Sequence, residues 1–197
     1  MSMPGYSMGS VIDGVKNQVN AIIDARLGTL TALVNNVGVL EQKCRLTDIS
    51  AQRLERVLRT NVISYFLCCQ QAVRRMSTAH GGQGGRIVNV SSAAARIGSP
   101  DEYIDYAASK GAVDTLTLGL AKEVAAEGIR VNGVRPGIIH TEIHASGGEP
   151  GRVARLAPGV PMQRGGQPEE IADAILYLLG PGATYVTGSI LDVAGGR

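Results

Sequence analysis

The 197-residue chain contains no tryptophan, one phenylalanine, Phe66, and three cysteines, Cys44, Cys68 and Cys69. So few large aromatic rings argue against a stacking platform for nucleic-acid bases. An odd number of cysteines, two of them adjacent, is not a disulfide framework, and no CxxC or HExxH spacing predicts a metal site. The thiols are expected to be small core residues in a reducing compartment, which indicates the cytoplasm.

Charge and hydropathy argue against two further classes of protein. Lys and Arg number 19 against 17 Asp and Glu, a net charge of +2, and both signs are interspersed. We therefore expect neither a nucleic-acid-binding stripe nor a basic membrane-binding face. No apolar run reaches the roughly 18 residues that a membrane span needs. The start, MSMPGYSMGS, has no basic region before an apolar core, so no signal peptide is expected.

Strand-like and helix-like segments alternate along the chain. Apolar runs predict strands at 30–38, 86–92, 129–137 and within 188–196, and amphipathic spacing predicts helices at 10–27, 50–79, 103–128 and 167–180. Because each strand is apolar throughout, we expect an α/β fold whose mostly parallel sheet is covered on both faces. Residues 1–197 are predicted to form a single domain, with 1–27 as an N-terminal extension and helix and 140–167 as a substrate lid.

Polar residues gather at the predicted carboxyl ends of the strands, where α/β proteins bind their ligands. Asn35–Gly38, Ser91–Ser92 and Pro136–Gly137 each follow a strand. Tyr106 and Lys110 open the next helix, and their i, i+4 spacing places them on one helical face.

A lysine one turn from a tyrosine is expected to lower the phenol pKa from its ordinary value of about 10, which favours general acid–base chemistry. With a serine to hold the substrate oxygen, the set suits interconversion of an alcohol and a carbonyl, and the hydride needs a cofactor. Each feature alone has an ordinary explanation: asparagines form turns, serines end strands, and most Tyr–Lys pairs are solvated neighbours.

Taken together, these segments resemble the short-chain dehydrogenase/reductase family. NNVG looks like the family's N-N-A-G turn, RTNV presents its asparagine as Asn61, and IVNVSS ends in its serine pair. YAASK is similar to its Tyr-x-x-x-Lys helix, RPGIIHT to its P-G-x-x-x-T segment and VTGSILDVAGG to its last strand. The resemblance runs in order from about residue 28 to the end and implies a Rossmann-like three-layer sandwich.

The resemblance also implies residue roles. Tyr106 would be the catalytic acid/base, Lys110 would lower its pKa, Ser92 would hold the substrate oxygen and Asn61 would anchor a water in a proton relay. The interval from Ser92 to Tyr106 is one residue longer than usual in the family, so Ser91 remains a weaker candidate. NAD or NADP would contact Asn35, Gly38, Tyr106, Lys110, Pro136, Gly137, Ile139 and Thr141.

One family feature is not found in these residues. The T-G-x-x-x-G-x-G turn, whose glycines let backbone approach a pyrophosphate, does not occur in the 197 residues. We therefore expect the family fold without its first βαβαβ half and without the residue that selects NAD or NADP. The strand near Ala32–Asn35 is then predicted to be an edge of the sheet.

The expected function is that of an NAD(P)-dependent oxidoreductase acting on a small alcohol or carbonyl, as a homodimer or homotetramer formed through the long helices. A shortened, non-catalytic relative acting as an interaction or regulatory subunit is the alternative. A serine hydrolase using Ser92 is disfavoured because the sequence has no G-x-S-x-G elbow.

Overall fold

The computed structural model describes residues 28–197, so the helix predicted at 10–27 lies outside the described residues. Within 28–197 the strands form one parallel sheet in the order β1–β2–β3–β4, which confirms the predicted α/β architecture. The strands are β1 (Ala32–Asn35), β2 (Gly85–Val90), β3 (Ile129–Pro136) and β4 (Ile190–Val193).

Helices cover both faces of this sheet. They are α1 (Ala51–Leu58), α2 (Ser64–Met76), α3 (Ala94–Ile97), α4 (Ile104–Val124), α5 (Ile143–Ser146), α6 (Arg152–Leu156) and α7 (Pro168–Leu179). Helices α2 and α4 pack on one face and α7 packs on the other, which gives three layers. No helix between residues 28 and 197 is long and apolar enough to span a bilayer.

The core lies on the two faces of the central strands. Ile87 and Val131 face α2 and α4, whereas Val88 and Val134 face α7, as the two-residue period of a strand requires. The outer strands are more exposed to solvent than a sheet covered on both faces would be, since the Val34 side chain of β1 remains 40% exposed. Among residues 28–197, β1 pairs with β2 alone and is an edge, in line with the prediction.

A chain of buried polar groups crosses the layer between the sheet and α4. The Asn35 amide donates to Asn89 Oδ1 at 2.8 Å, and the Asn89 amide donates to Thr117 Oγ1 at 3.0 Å. Buried amides that lose such partners carry a desolvation cost. The chain therefore favours one alignment of β1, β2 and α4.

The single helix predicted at 50–79 is interrupted in the structure. Ser50 caps α1 by accepting from the Arg53 backbone N–H at 3.2 Å, and a π-helical turn, Arg59–Ile63, separates α1 from α2. Single π-helical turns are rare in proteins, but those that occur often lie at functional sites. This one carries Asn61.

A buried ion pair attaches α1 to the start of α4. Arg53 Nε and Nη2 donate to the two oxygens of Asp105 at 2.6 and 3.1 Å. The Asp105 side chain is 1% exposed. Since Asp105 precedes Tyr106 directly, this pair fixes the beginning of the helix that carries the candidate acid/base.

The segment predicted as a loop at 140–167 contains α5, α6 and a 3-10 turn, Ala157–Gly159. These helices are four and five residues long, too short to show an amphipathic period in sequence.

We expect Asp105→Asn to lower the free energy of unfolding by about 3 kcal/mol, because Arg53 would keep its charge in a buried place without a carboxylate. Asp101→Asn is the matched control, since the Arg45–Asp101 pair has side chains 77% and 74% exposed and such pairs contribute about 0–1 kcal/mol. Urea unfolding of both variants measures the difference, and equal losses would contradict a special role for the buried pair.

Candidate active site

A cavity of about 420 Å³ opens beyond the carboxyl ends of β1, β2 and β3. Parallel sheets bind ligands at this edge because the turns that follow the strands converge there. The predicted site residues in its wall are Gly38, Ser92, Tyr106, Lys110, Pro136, Gly137, Ile139 and Thr141.

Helix α4 presents Tyr106 and Lys110 on one face, as their spacing predicts. The Lys110 Nζ atom lies 5.8 Å from the centroid of the Tyr106 ring. Lys110 is buried, whereas Tyr106 is half-buried. Both side chains reach the cavity wall.

The Lys110 ammonium is held by oxygen atoms behind the cavity. Its Nζ donates to Val90 O at 2.8 Å and to the Tyr65 hydroxyl at 3.3 Å. Burial lowers the pKa of Lys110 to about 8, and the negative charge of Asp114 partly opposes this change. The lysine is therefore mostly charged at neutral pH and loses its charge in mildly alkaline solution.

The two adjacent serines have different surroundings. The Ser91 hydroxyl is buried and donates to the backbone oxygen of Lys110 at 3.1 Å. The Ser92 hydroxyl accepts from the Ala94 N–H at 3.1 Å, and it lies beside Tyr106 in the cavity wall, where it lowers the pKa of that phenol. The geometry therefore favours Ser92 over Ser91 as the serine beside the reacting oxygen.

The pKa of Tyr106 differs from the sequence-based expectation. Burial raises it above its ordinary value, and the hydrogen bond with Ser92 opposes this effect. The expected lowering by Lys110 is not found, because the ammonium lies against the Tyr106 ring and donates its hydrogen bonds to Val90 O and Tyr65 instead.

Asn61 is fully buried and joins two segments of the site. Its Oδ1 accepts from the Val39 N–H at 2.8 Å, and its Nδ2 donates to Val39 O and to Ser109 Oγ, both at 3.1 Å. The side chain thus attaches the turn after β1 to α4, one residue before Lys110. The relay water that the resemblance implies for Asn61 stays a prediction.

Asn35 does not reach the cavity. Its amide donates to Asn89 and to Cys69 Sγ within the core, and the neighbouring Asn36 lines the cavity instead. The contact of Asn35 with a dinucleotide stays a prediction, and the Asn35 side chain takes no part in the cavity wall. The strand period accounts for the difference, since consecutive side chains leave β1 in opposite directions.

The backbone around the cavity fits a bound dinucleotide. A Cβ atom at Gly38 would lie 3.4 Å from Lys110 Nζ, so the missing side chain leaves room beside the ammonium. At Gly137 a Cβ would lie 2.7 Å from Ala194 Cα, closer than atoms can pack. Glycine thus lets the Pro136–Gly137 turn close against the end of β4 while its backbone stays in the cavity wall.

The segment 140–167, predicted to be a lid, supplies wall residues that the sequence did not indicate. Arg152 binds Glu102 at 2.5 Å and Glu149 at 3.0 Å, and its guanidinium lies 4.9 Å from the Tyr103 ring. Arg152 and Tyr103 both line the cavity, as does His144. The i, i+3 spacing of Glu149 and Arg152 was the available signal, and it indicates a helical turn.

We expect Lys110 to make folding stability depend on pH. Its folded pKa of about 8 lies below the unfolded value of about 10.4, so the unfolded chain binds more protons between these values. The free energy of unfolding should therefore rise by about 1 kcal/mol per pH unit in this window. In Lys110→Met this increment should disappear.

Urea unfolding at about pH 8, 9 and 10 measures the increment. Lys122→Met, which removes an exposed lysine of the same helix, should keep the wild-type slope. The two tyrosines beside Lys110, Tyr65 and Tyr106, have pKa values raised above the ordinary value of about 10. They therefore stay protonated between about pH 8 and 9, and the difference between the variants in that interval isolates Lys110. Parallel curves for wild type and Lys110→Met would contradict the depressed pKa.

Comparisons with known proteins agree with this arrangement. The protein-family model described as enoyl-(acyl carrier protein) reductase matches residues 13–197. The chain is 62% identical over 185 residues to the uncharacterized oxidoreductase YgfF of Escherichia coli (strain K12), covering 92% of this chain and 75% of that protein. It spans 61–62% of the length of three further curated relatives, named as dehydrogenases or a reductase.

Solved structures share the fold. The 3-ketoacyl-(acyl-carrier-protein) reductase of Brucella melitensis complexed with NADH superimposes with a TM-score of 0.84 at 29% identity, over 93% of this chain and 73% of that one. ElxO with NADP bound gives a TM-score of 0.81 at 32% identity, over the same 93% and 73%. The family match over nearly the whole chain and the identity to YgfF show that the chain belongs to the short-chain dehydrogenase/reductase family.

Proposed function

We propose that this chain interconverts an alcohol and a carbonyl with NAD or NADP, and that Tyr106 is the acid/base. One observation carries the proposal: the side chains of Ser92, Tyr106 and Lys110 line the wall of one cavity. Two hydroxyl groups that meet at one place can bind one substrate oxygen between them. The similarity to named oxidoreductases supports the same reaction class.

The proposed role of each residue follows from the chemistry of its side chain. Ser92 holds the substrate oxygen, and Tyr106 gives a proton to that oxygen or takes one from it. A nicotinamide dinucleotide, when bound, supplies or accepts the hydride, which no side chain can carry. The positive charge of Lys110 stabilises the phenolate that remains after Tyr106 has donated its proton.

The raised pKa of Tyr106 favours one direction at neutral pH. A protonated phenol is ready to donate to a carbonyl oxygen, so reduction can begin from the resting state. Oxidation of an alcohol requires the phenolate, which this state disfavours. We therefore propose that carbonyl reduction dominates near neutral pH and that alcohol oxidation becomes competitive in alkaline solution.

The cofactor is proposed to lie along the turns after β1 and β3. Gly38 leaves space beside Lys110, while Pro136, Gly137, Ile139 and Thr141 contribute wall on the opposite side. An ammonium has three donors, and within residues 28–197 two of those of Lys110 bind Val90 O and the Tyr65 hydroxyl. The third is available for a ribose hydroxyl. The choice between NAD and NADP is left open, since similar structures hold NADH or NADP.

We also propose a homodimer or homotetramer formed through the long helices. Phe66 on α2 and Leu118 on α4 are 46% and 43% exposed, and large apolar side chains on two such helices suit a contact between copies. The free thiols of Cys44, Cys68 and Cys69 fit a cytoplasmic location.

Tyr106→Phe should abolish turnover, because it removes the proton that is transferred while keeping the ring. We expect a loss of at least about a thousandfold in the rate of carbonyl reduction, within the range for a lost acid/base. Reduction of a panel of aldehydes and ketones, followed by NAD(P)H absorbance, measures the rate. Tyr185→Phe, a fully exposed tyrosine, is the control, and wild-type turnover by Tyr106→Phe would refute the assigned role.

Gly38→Val should weaken NAD(P)H binding at least about tenfold, because the added methyl groups would enter the space beside Lys110 Nζ. Calorimetric titration of wild type with NADH and NADPH tests binding directly and does not depend on the substrate. Gly119→Ala, where a Cβ meets open space, should bind as wild type does. Failure of wild type to bind either dinucleotide would instead favour a non-catalytic role for these residues.

A further inference from the structure

Tyr65 is a completely buried tyrosine at the back of the site. It lies in the first turn of α2, four residues after Asn61. Its relative exposure is 0%, and it is among the largest fully buried side chains of the described part of the chain. A buried phenol needs hydrogen-bond partners, because an unpaired hydroxyl in the core is destabilising.

The Tyr65 hydroxyl lies among three partners that all belong to the site. It is 3.0 Å from Val37 O in the turn after β1 and 2.9 Å from Val90 O at the end of β2. Lys110 Nζ donates to it at 3.3 Å and lies 5.2 Å from the centre of its ring. One hydroxyl therefore touches both strand ends and the ammonium.

These partners determine what the hydroxyl can do. A phenol has one proton to donate and lone pairs to accept with, so it donates to one of the two carbonyl oxygens and accepts from Lys110. Its hydrogen-bond acceptors within residues 28–197 are two carbonyl oxygens, Val37 O and Val90 O, which cannot carry a proton onward. Burial also raises the pKa of Tyr65 well above its ordinary value, so the group stays neutral. Tyr65 is therefore not a proton relay.

The two strand ends need such a connection. Val37 precedes Gly38, whose missing side chain leaves the space beside Lys110 Nζ, and Val90 O is the other acceptor of the ammonium. Without the Tyr65 hydroxyl, the buried Lys110 ammonium would keep Val90 O as its acceptor. The ring would still fill its volume, but the oxygen that faces the ammonium would be missing.

We propose that Tyr65 is a positioning residue that fixes the Lys110 ammonium at the cavity wall and stabilises its charged form. The contacts within the chain support the role of Tyr65 in positioning Lys110. The effect of Tyr65 on turnover rests on the proposed function.

The charged state of Lys110 should respond to this oxygen. The titratable groups that face the ammonium are Tyr65 from α2 and Tyr106 and Asp114 from its own helix, and Asp114 favours the charge. Tyr65→Phe removes an acceptor that binds the protonated amine more strongly than the neutral one, so the pKa of Lys110 should fall further below about 8. The loss of one hydrogen bond of ordinary strength to the charged amine should shift the pKa of Lys110 by about one unit.

The experiment is a titration of the lysine side chains without any cofactor. The chain has four lysines, Lys16, Lys43, Lys110 and Lys122, so ¹³C-ε-lysine labelling gives few NMR signals, and Lys110→Met identifies the relevant one. In Tyr65→Phe the Lys110 midpoint should move down by about one pH unit. Tyr177→Phe, which alters a tyrosine on α7 outside the cavity wall, should leave it unchanged.

An unchanged Lys110 midpoint in folded Tyr65→Phe would overturn the proposal. Should that variant fail to fold, wild type still decides: the geometry requires a nuclear Overhauser contact between the Lys110 ε-methylene and the Tyr65 ring, and its absence would also overturn it.

Measurements of turnover test separately whether Tyr65 affects catalysis. In Tyr65→Phe the alkaline limb of the reductase rate should move by the same amount as the Lys110 midpoint, with kcat lowered more than KM. A shifted midpoint without any turnover in wild type would support the placement of Lys110 and count against the proposed function. A shifted midpoint with an unshifted rate profile would overturn the proposed effect of Tyr65 on catalysis.

Discussion

The site depends on keeping one ammonium group charged in a buried place. Burial alone would drive Lys110 toward its neutral form, and the pKa of about 8 shows how far this tendency goes. The opposing contributions are Val90 O, the Tyr65 hydroxyl and the charge of Asp114. Each comes from a different part of the fold, so the cavity can hold its charge only when β2, α2 and α4 are correctly assembled.

The rest of the structure can be understood as the support of that assembly. Asn61 binds the turn after β1 to α4 through three hydrogen bonds, and the Arg53–Asp105 pair fixes the first turn of the same helix. The polar chain from Asn35 to Thr117 aligns the sheet with α4. These buried polar groups are costly unless every partner is present, which links local errors in the fold to loss of the site.

Much of this arrangement was predictable from sequence because it depends on short-range spacing. The i, i+4 relation of Tyr106 and Lys110 and the polar turns after the strands follow from regular geometry. The π-turn at Arg59–Ile63 and the two lid helices were not predictable, since the first keeps a helical pattern and the others are too short to show one. Which of the two asparagines, Asn35 or Asn36, faces the cavity could not be read from sequence, because adjacent asparagines are equivalent until the strand period is fixed.

Electrostatic states are harder to predict than positions, and Tyr106 shows why. Sequence spacing places a cation next to a phenol and so suggests a lowered pKa, yet the outcome depends on where the ammonium hydrogens point and how much water the ring loses. Here the ammonium donates to Val90 O and Tyr65, and desolvation raises the phenol pKa instead. A phenol with a raised pKa keeps its proton at neutral pH and can donate it to a carbonyl oxygen. In the proposed function, the raised pKa makes Tyr106 a proton donor, whereas the same residues in a more open site would make a base.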